Sequence, residues 1–183
     1  MKNILIVSGH NDLTNSIANK AILEELSKVL PNAEFDYLDK LYPDYKIDVA
    51  KEQEKLLKAD VVVLQFPIYW YNAPALLRKW FEDVLLHGFA HGSTGTKLHG
   101  KHLIVSCTAG APEAVYCEGM VGKIDDFMPS FIQLANLCGM KWEGYVCTYD
   151  VSYLSRTNEN FKQDVIQKAI KHANDLAKKI NSL

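Results

Sequence analysis

The sequence predicts a doubly wound α/β fold, in which a five-stranded parallel sheet carries helices on both faces. Five short apolar runs, rich in β-branched residues, have the length and composition of buried strands. Segments with a helical period separate these runs, and alternation of strands with helices favours a parallel sheet. A chain of 183 residues, 48% of them hydrophobic, suits a single domain over residues 1–183 with a substantial core.

The strands follow from the apolar runs, and the helices follow from apolar residues that recur on one face. The runs place strands at residues 3–8, 35–38, 59–65, 101–106 and 142–149. The periodic segments place helices at about 16–30, 48–58, 74–84, 124–137 and 158–180. Asp48 should cap the second helix, and Pro74 suits the first turn of the third. Pro129 should kink the fourth helix or divide it into two, and Gly139 suits its carboxyl end.

Composition and charge argue against several classes of partner. A net charge of -2 gives no reason to expect binding to nucleic acid or to an anionic membrane. The longest apolar runs are far shorter than a membrane-spanning helix, and the first residues lead into a strand rather than a signal peptide. Cys107, Cys117, Cys138 and Cys147 show neither a CxxC pair nor metal-ligand spacing. Free thiols in a chain without a secretion signal predict a cytoplasmic protein.

A polar loop follows the first strand and leads into a helix. The loop from His10 to Asn19 lies at a helix amino terminus, where unpaired N–H groups and the helix dipole favour an anion such as phosphate. It contains neither GxGxxG nor GxxxxGKS/T, so neither a dinucleotide-binding Rossmann site nor a P-loop is indicated. A simpler interpretation stays open, in which Asn15 or Ser16 only caps the helix and His10 is an exposed loop residue.

An apolar and aromatic segment, FPIYWY at residues 66–71, follows the third strand, where a soluble protein normally has a polar loop. Pro67 and Pro74 restrict the backbone at both ends of this region and favour extended conformations in the residues before them. A rigid aromatic loop at the carboxyl end of a strand is a suitable platform for a flat ligand. Aromatic clusters also form cores and dimer interfaces, and this alternative stays open.

Small residues follow the fourth strand, and two histidines follow the third helix. The segment from Thr108 to Ala111 would let the backbone approach a ligand closely, because Gly110 accepts conformations closed to other residues. The same segment is compatible with an ordinary turn. His87 and His91 have the spacing of metal ligands on a helix, but the glycine after each of them indicates that the helix has ended. No metal site is therefore expected.

Three motifs resemble, in order and spacing, those of one enzyme family. The segment QFPIYWYNAPALLRKWFEDVL, with GFA at residues 88–90, is similar to the flavin-platform motif of the NAD(P)H:quinone oxidoreductases of the DT-diaphorase type. It is also similar to that of the smaller bacterial quinone reductases that act as ancillary subunits of potassium-efflux systems. His10, Ser16 and Asn19 have the spacing of the family's flavin-phosphate loop, and CTAGAPEAVY resembles its second flavin motif. The resemblance implies a flavodoxin-like strand order of 2-1-3-4-5, with all three loops at one edge of the sheet.

The resemblance also implies the residues of a flavin site. Loop hydroxyls and the amides of residues 16–19 would hold the phosphate, the aromatic segment would carry the ring, and amides near 109–111 would bond its N5/O4 edge. The implied cofactor-binding residues are His10, Thr14, Ser16, Ile17, Ala18, Asn19, Pro67, Ile68, Tyr69, Trp70, Tyr71, Thr108, Ala109, Gly110, Ala111 and Tyr116. Tyr116 would also point towards the substrate and is the implied catalytic residue. The mammalian enzymes have a histidine a few residues later and this chain has none, so Tyr116 is assigned only hydrogen bonding.

The activity that the resemblance implies is two-electron reduction of a quinone or a similar flat acceptor by NAD(P)H. NAD(P)H would pass hydride to flavin N5 and leave, and the quinone would then take its place. FMN is favoured over FAD, because the short chain resembles the smaller bacterial members. A homodimer with the site at the interface is expected. The alternative is a flavin-binding regulatory subunit of a membrane potassium-efflux transporter. A one-electron flavodoxin is disfavoured, because its shuttle role usually goes with a strongly acidic surface.

Overall fold

The computed structural model describes residues 2–117 and 120–183. Five parallel strands in this part of the chain form one sheet in the order β2-β1-β3-β4-β5, which confirms the predicted fold class and strand order. The strands are β1 (Ile4–Ser8), β2 (Glu34–Tyr37), β3 (Val61–Pro67), β4 (His102–Thr108) and β5 (Lys141–Thr148). The order reverses between β1 and β3, so the connections that follow them run to opposite faces of the sheet and leave a crevice between them.

Six α-helices of the described residues connect and cover the strands. They are α1 (Ala18–Val29), α2 (Leu38–Leu41), α3 (Val49–Lys58), α4 (Ala75–Val84), α5 (Pro129–Leu137) and α6 (Glu159–Asn181). Short 3₁₀ turns precede α1, α5 and α6 at Leu13–Asn15, Ile124–Phe127 and Tyr153–Arg156. Asp48 caps α3 as predicted, since its side chain accepts from the Lys51 amide.

The main differences from the predicted elements lie at their ends. The first helix was expected from about residue 16 and begins at Ala18, because the 3₁₀ turn uses the preceding residues. The single turn of α2 was not predicted, since four residues carry too little periodicity to be recognised. Pro129 divides the segment 124–137 into a 3₁₀ turn and a helix, as expected. β3 and β4 each continue two residues further than predicted, so that Pro67 lies beside Thr108 in the ladder.

Alternate side chains of the central strands pack into two hydrophobic clusters, one on each face of the sheet. On one face Ile6, Val63 and Ile104 pack with helices α1 and α6. On the other face Val7 and Val105 pack with α3, α4 and α5. A strand that is apolar on both sides needs helices over both faces, so a ligand crevice lies at an edge of the sheet rather than on a face.

A buried histidine ties α6 to the last two strands. His172 Nε2 lies 2.8 Å from Ser106 Oγ, and its Nδ1 lies 2.8 Å from Thr148 Oγ1. Burial lowers the pKa of His172 to about 4, so the imidazole is neutral at pH 7. Both ring nitrogens have a hydroxyl partner, so this group stabilises the fold without carrying a buried charge.

The described helices include none that is long and apolar enough to cross a bilayer. Within the same residues, no group of three or more His, Cys, Asp or Glu side chains is arranged to hold a metal ion. His87 and His91 lie beyond the end of α4, with their ring centroids 5.6 Å apart.

Candidate functional site

The loops after β1, β3, β4 and β5 surround a cavity of about 340 Å³ at the carboxyl edge of the sheet. Ten of the predicted site residues line it: His10, Ser16, Ile17, Ala18, Asn19, Pro67, Ile68, Tyr69, Thr108 and Gly110. The sequence motifs therefore converge in space, although they are separated by up to about a hundred residues along the chain.

The amino terminus of α1 forms one wall of the cavity. Ser16 Oγ accepts the Asn19 amide at 3.3 Å, so this hydroxyl caps the helix as well as facing the cavity. The amides of Ile17 and Ala18 have no protein acceptor among the described residues. Free amides at the positive end of a helix dipole form a site for an anion. The capping and anion-binding interpretations are therefore compatible at Ser16.

A buried amide network joins the first three loops. Asn19 Nδ2 donates to Ser16 Oγ and to Thr108 Oγ1, both at 3.2 Å. Gln65, in β3, donates from Nε2 to Asn19 Oδ1 at 2.7 Å. Asn19 is 3% exposed and Gln65 is fully buried. Because hydrogen bonds in a low-dielectric interior are directional and costly to break, this network fixes the three loops relative to one another.

His10 is held in a defined orientation at the end of β1. Its Nδ1 accepts the Asp12 amide at 3.0 Å, so the neutral ring carries its proton on Nε2. Nε2 lies 3.4 Å from the Tyr69 hydroxyl. Burial lowers the pKa of His10, against the opposing effect of the nearby Asp39 and Asp12 carboxylates. The imidazole is therefore presented to the cavity as a neutral hydrogen-bonding group.

The aromatic segment forms a tight turn after β3. Tyr69 and Asn72 exchange two backbone hydrogen bonds of 3.0 Å, and Trp70 and Tyr71 lie between them with φ of 50° and 63°. Two central residues with positive φ are typical of a type I′ turn, a position that normally favours glycine or asparagine. Trp70 is 93% exposed, and the Tyr71 ring packs 5.3 Å from that of Phe127. The turn projects an indole away from the core beside the cavity that Tyr69 lines.

The turn after β4 differs in one respect from its expected role. The Ala109 amide was expected to face the ligand, but it donates to the Thr148 carbonyl at 2.8 Å. The parallel pairing of β4 with β5 continues to this point and uses the amide. Gly110 lines the cavity, and a Cβ placed there would meet no atom within 4 Å. The Ala111 amide points to the Tyr116 hydroxyl at 3.5 Å.

Six predicted residues lie outside the wall of the main cavity: Thr14, Trp70, Tyr71, Ala109, Ala111 and Tyr116. Thr14 lines a neighbouring groove of about 470 Å³ between α1 and α6. Tyr116 is half-buried, with its ring 5.6 Å from that of Tyr149, and burial raises its pKa. The segment after Tyr116, in which the sequence has no histidine, includes Glu118 and Gly119, and these two lie outside the described residues.

The loop after β5 supplies a wall that the sequence did not indicate. Its cavity-lining residues are Val151, Ser152, Tyr153, Ser155 and Arg156. The loop is tied to the turn after β4, because the amides of Asp150 and Val151 donate to the carbonyls of Ala111 and Ala109 at 2.8 and 3.1 Å. Arg156 lies in both the cavity and the neighbouring groove, so it adds a positive charge beside the amino terminus of α1. The sequence feature that could have identified this loop is an arginine among serines after the last strand.

A parallel sheet in this order, with a helix amino terminus and an aromatic turn around one cavity at its edge, defines a flavodoxin-like cofactor-binding protein. The chain belongs to the flavodoxin-like fold family, whose model matches residues 2–173. The predicted resemblance to the flavodoxin-like quinone reductases is confirmed.

Individual relatives match most of this chain. The glutathione-regulated potassium-efflux system ancillary protein KefF of Salmonella heidelberg (strain SL476) is 43% identical over 139 residues, which cover 76% of this chain and 78% of that protein. General stress protein 14 of Treponema denticola, solved in complex with FMN, has a TM-score of 0.86 and 28% identity, over 97% of this chain and 99% of that one. The NADPH-quinone reductase from P. pentosaceus has a TM-score of 0.74 and 25% identity, over 94% and 98%.

Proposed function

We propose that this chain is a flavin-dependent NAD(P)H:quinone oxidoreductase that holds FMN in the cavity at the carboxyl edge of its sheet. The main support for the proposal is that an anion site and an aromatic turn border the same cavity. Ser16 and Arg156 lie on the anion side, and Tyr69 lies towards the aromatic side. A phosphate at one end and a flat ring at the other are the two chemical demands of a flavin.

The residues present fit the parts of FMN. The free amides of Ile17 and Ala18, the Ser16 hydroxyl and the Arg156 guanidinium would hold the phosphate. The open space beside Gly110 leaves room for the edge of the ring. Because the Ala109 amide is already paired, bonding to that edge falls to the amides that follow it.

FMN is favoured over FAD by the complex of the T. denticola protein, which matches nearly the whole chain. The adenylate half of FAD would need the neighbouring groove, which opens beyond Arg156 and contains Lys20 and Lys162. Mass analysis of the small molecule released by boiling the purified protein separates the two cofactors.

Bound flavin would supply the redox chemistry, accepting a hydride equivalent from NAD(P)H and delivering two electrons to a quinone. The protein would position the reactants and exclude water. His10 and Tyr69 present neutral hydrogen-bonding groups at the cavity wall, and the exposed indole of Trp70 offers a stacking surface beside it. Tyr116 would donate a hydrogen bond to the acceptor as its oxygen gains charge.

Replacement of Ser16 with glutamate tests the phosphate position. The carboxylate would lie where the phosphate is proposed, so the variant should purify without flavin while its circular dichroism stays that of the wild type. Ser27→Glu, at the exposed far end of α1, is the matched control and should keep its flavin. Arg156→Gln should weaken FMN binding by roughly ten- to a hundredfold, the usual effect of losing one charge-assisted hydrogen bond. Full flavin content in Ser16→Glu would contradict the proposal.

The second candidate function is that of an ancillary subunit of a potassium-efflux transporter, which uses the flavin as a sensor. The observation in its favour is the 43% identity to KefF. Turnover separates the two functions. The enzyme proposal expects the purified protein alone to oxidise NADH or NADPH with a benzoquinone acceptor, whereas a pure sensor would bind FMN without multiple turnovers.

Two expectations about the protein's setting stay predictions. The exposed aromatic side chains of Trp70 and Tyr71, with the exposed Leu86 nearby in sequence, support association into a homodimer. The cytoplasmic location rests on the four free thiols.

A further inference from the structure

Two cysteines lie side by side at the carboxyl ends of β4 and β5. The strand register pairs Cys107 with Cys147 across these neighbouring parallel strands. Paired residues in a parallel ladder point their side chains to the same face, and both cysteines belong to the cluster that α5 covers. The neighbouring Cys147 thiol and burial both raise the pKa of Cys107. The register therefore places the two thiols beside each other on one face of the sheet.

The spacing of the two strands is compatible with a disulfide. Neighbouring strands lie about 4.8 Å apart, and disulfides form at Cα separations of about 4.4–6.8 Å. The two thiols also differ in access, because Cys107 is fully buried and Cys147 is partly exposed.

We infer that Cys107 and Cys147 form a reversible disulfide when the protein meets a peroxide. Cys147, the less buried of the two cysteines, attacks one peroxide oxygen. The O–O bond breaks, Cys147 becomes a sulfenic acid, and one water leaves. Cys107 then attacks the Cys147 sulfur, the S–O bond breaks, and the S–S bond forms with release of a second water. The two thiols lose two electrons and two protons, and hydrogen peroxide is reduced to two waters.

The bond would act on the turn that lines the proposed cofactor cavity. Cys107 directly precedes Thr108, whose hydroxyl bonds Asn19, and Cys147 precedes Thr148, whose carbonyl accepts the Ala109 amide. Closing the two thiols to a covalent bond of about 2 Å repositions both side chains at the ends of β4 and β5, directly before the turn. This consequence rests on the proposed function, whereas formation of the disulfide does not.

Peptide mapping after peroxide treatment tests the inference. Cleavage after lysine and arginine places Cys107 and Cys117 on peptide 102–123, Cys138 on 124–141 and Cys147 on 142–156. Cys117→Ser is therefore the working protein, so that a link between 102–123 and 142–156 identifies Cys107. The expected result is this linked pair, a loss of two hydrogens in the intact mass, and full reversal by dithiothreitol.

Single variants assign the roles of the two thiols. Cys147→Ser should abolish the link, and Cys107→Ser should leave a Cys147 sulfenic acid that a dimedone reagent traps. Cys138→Ser is the matched control, since Cys138 is buried outside both strands, and it should keep the link. Oxidation of Cys147 to the sulfinic acid without a linked peptide in the Cys117→Ser protein would overturn the inference, whether or not the variants fold.

FMN titration of the reduced and oxidised forms tests the coupling to the cofactor separately. The expected result is weaker binding by the oxidised form. A linked peptide with unchanged FMN affinity would remove the coupling and keep the disulfide. If the protein binds no FMN in either form, the proposed function fails, while the mapping result stands by itself.

Discussion

Replacement of Asn19 with alanine should lower both stability and cofactor binding, because one amide group joins three loops of the site. Asn19 Oδ1 accepts from Gln65, and Nδ2 donates to Ser16 and Thr108. Gln65 is fully buried, and its own Oε1 has no partner in the described parts of the chain. The alanine variant would therefore leave the whole Gln65 amide unpaired.

The loss of unfolding free energy depends on how deeply each unpaired polar group is buried. An unpaired buried polar group costs about 1–3 kcal/mol. The Gln65 amide belongs near the upper end of this range, because no water reaches a fully buried group. The Thr108 hydroxyl lines the cavity, where water replaces the lost partner, so its cost is near zero to 1 kcal/mol. The expected loss in unfolding free energy is about 2–4 kcal/mol, or roughly 5–15 °C in Tm for a chain of this size.

Urea denaturation and FMN titration of three variants measure the effect. Asn15→Ala is the matched control, since the Asn15 side chain donates to the exposed Asp12, and it should lose less than about 1 kcal/mol. Asn19→Asp keeps an acceptor for Gln65, so it should lose less stability than Asn19→Ala. The added negative charge beside the anion site should nevertheless weaken its FMN binding more.

Two results would refute this reasoning. If Asn19→Ala matched Asn15→Ala in unfolding free energy, the amide network would not hold the loops together. If Asn19→Asp bound FMN as well as the wild type, the anion would not lie at the amino terminus of α1.

Three further predictions concern other parts of the molecule. Tyr116→Phe should slow turnover by roughly ten- to a hundredfold, because one hydrogen bond is lost. Stopped-flow kinetics should show this in flavin reduction or reoxidation, and unchanged rates in both would exclude Tyr116 from the site. The protein should sediment as a dimer at micromolar concentration and Trp70→Glu should shift it towards monomer, whereas a monomeric flavin-bound wild type would count against the predicted interface. The low pKa of His172, about 4 against 6.5 for an exposed histidine, means that the unfolded chain takes up a proton between these pH values and the folded protein does not. Stability should therefore fall as pH drops through this window, by about 3 kcal/mol in total, and His172→Gln, compared with the wild type by urea denaturation, should lack this part of the decline.

The sheet and its order could be predicted because local pattern and family motifs agree. Buried parallel strands are apolar on both faces, so their runs are visible in the sequence without knowledge of their partners. The ends were less predictable, since they depend on pairing. β3 extends to Pro67 because Thr108 lies beside it, and no local property of Pro67 indicates this neighbour.

Site residues that belong to sequence motifs could be predicted. Site residues in the loop after β5 could not, because only the packing of the chain places that loop at the cavity. The loop carrying Arg156 has no motif, and its place beside α1 depends on how α6 packs across the sheet. The pairing of Asn19 with Gln65 and Thr108 joins positions 46 and 89 residues apart, which no spacing rule connects. The paired state of the Ala109 amide likewise depends on a neighbouring strand.

The backbone of the aromatic turn at residues 69–72 is strained, and the folding of this chain alone does not account for that strain. Trp70 and Tyr71 both have positive φ, which costs a residue with a side chain about 1–2 kcal/mol, and glycine or asparagine would relieve it. An indole that is 93% exposed gains almost no burial energy in this chain to offset that cost. We propose that a flat ligand or a second subunit covers the indole and supplies this compensation. Both fit the same surface, because the adjacent Tyr69 already lines the cavity.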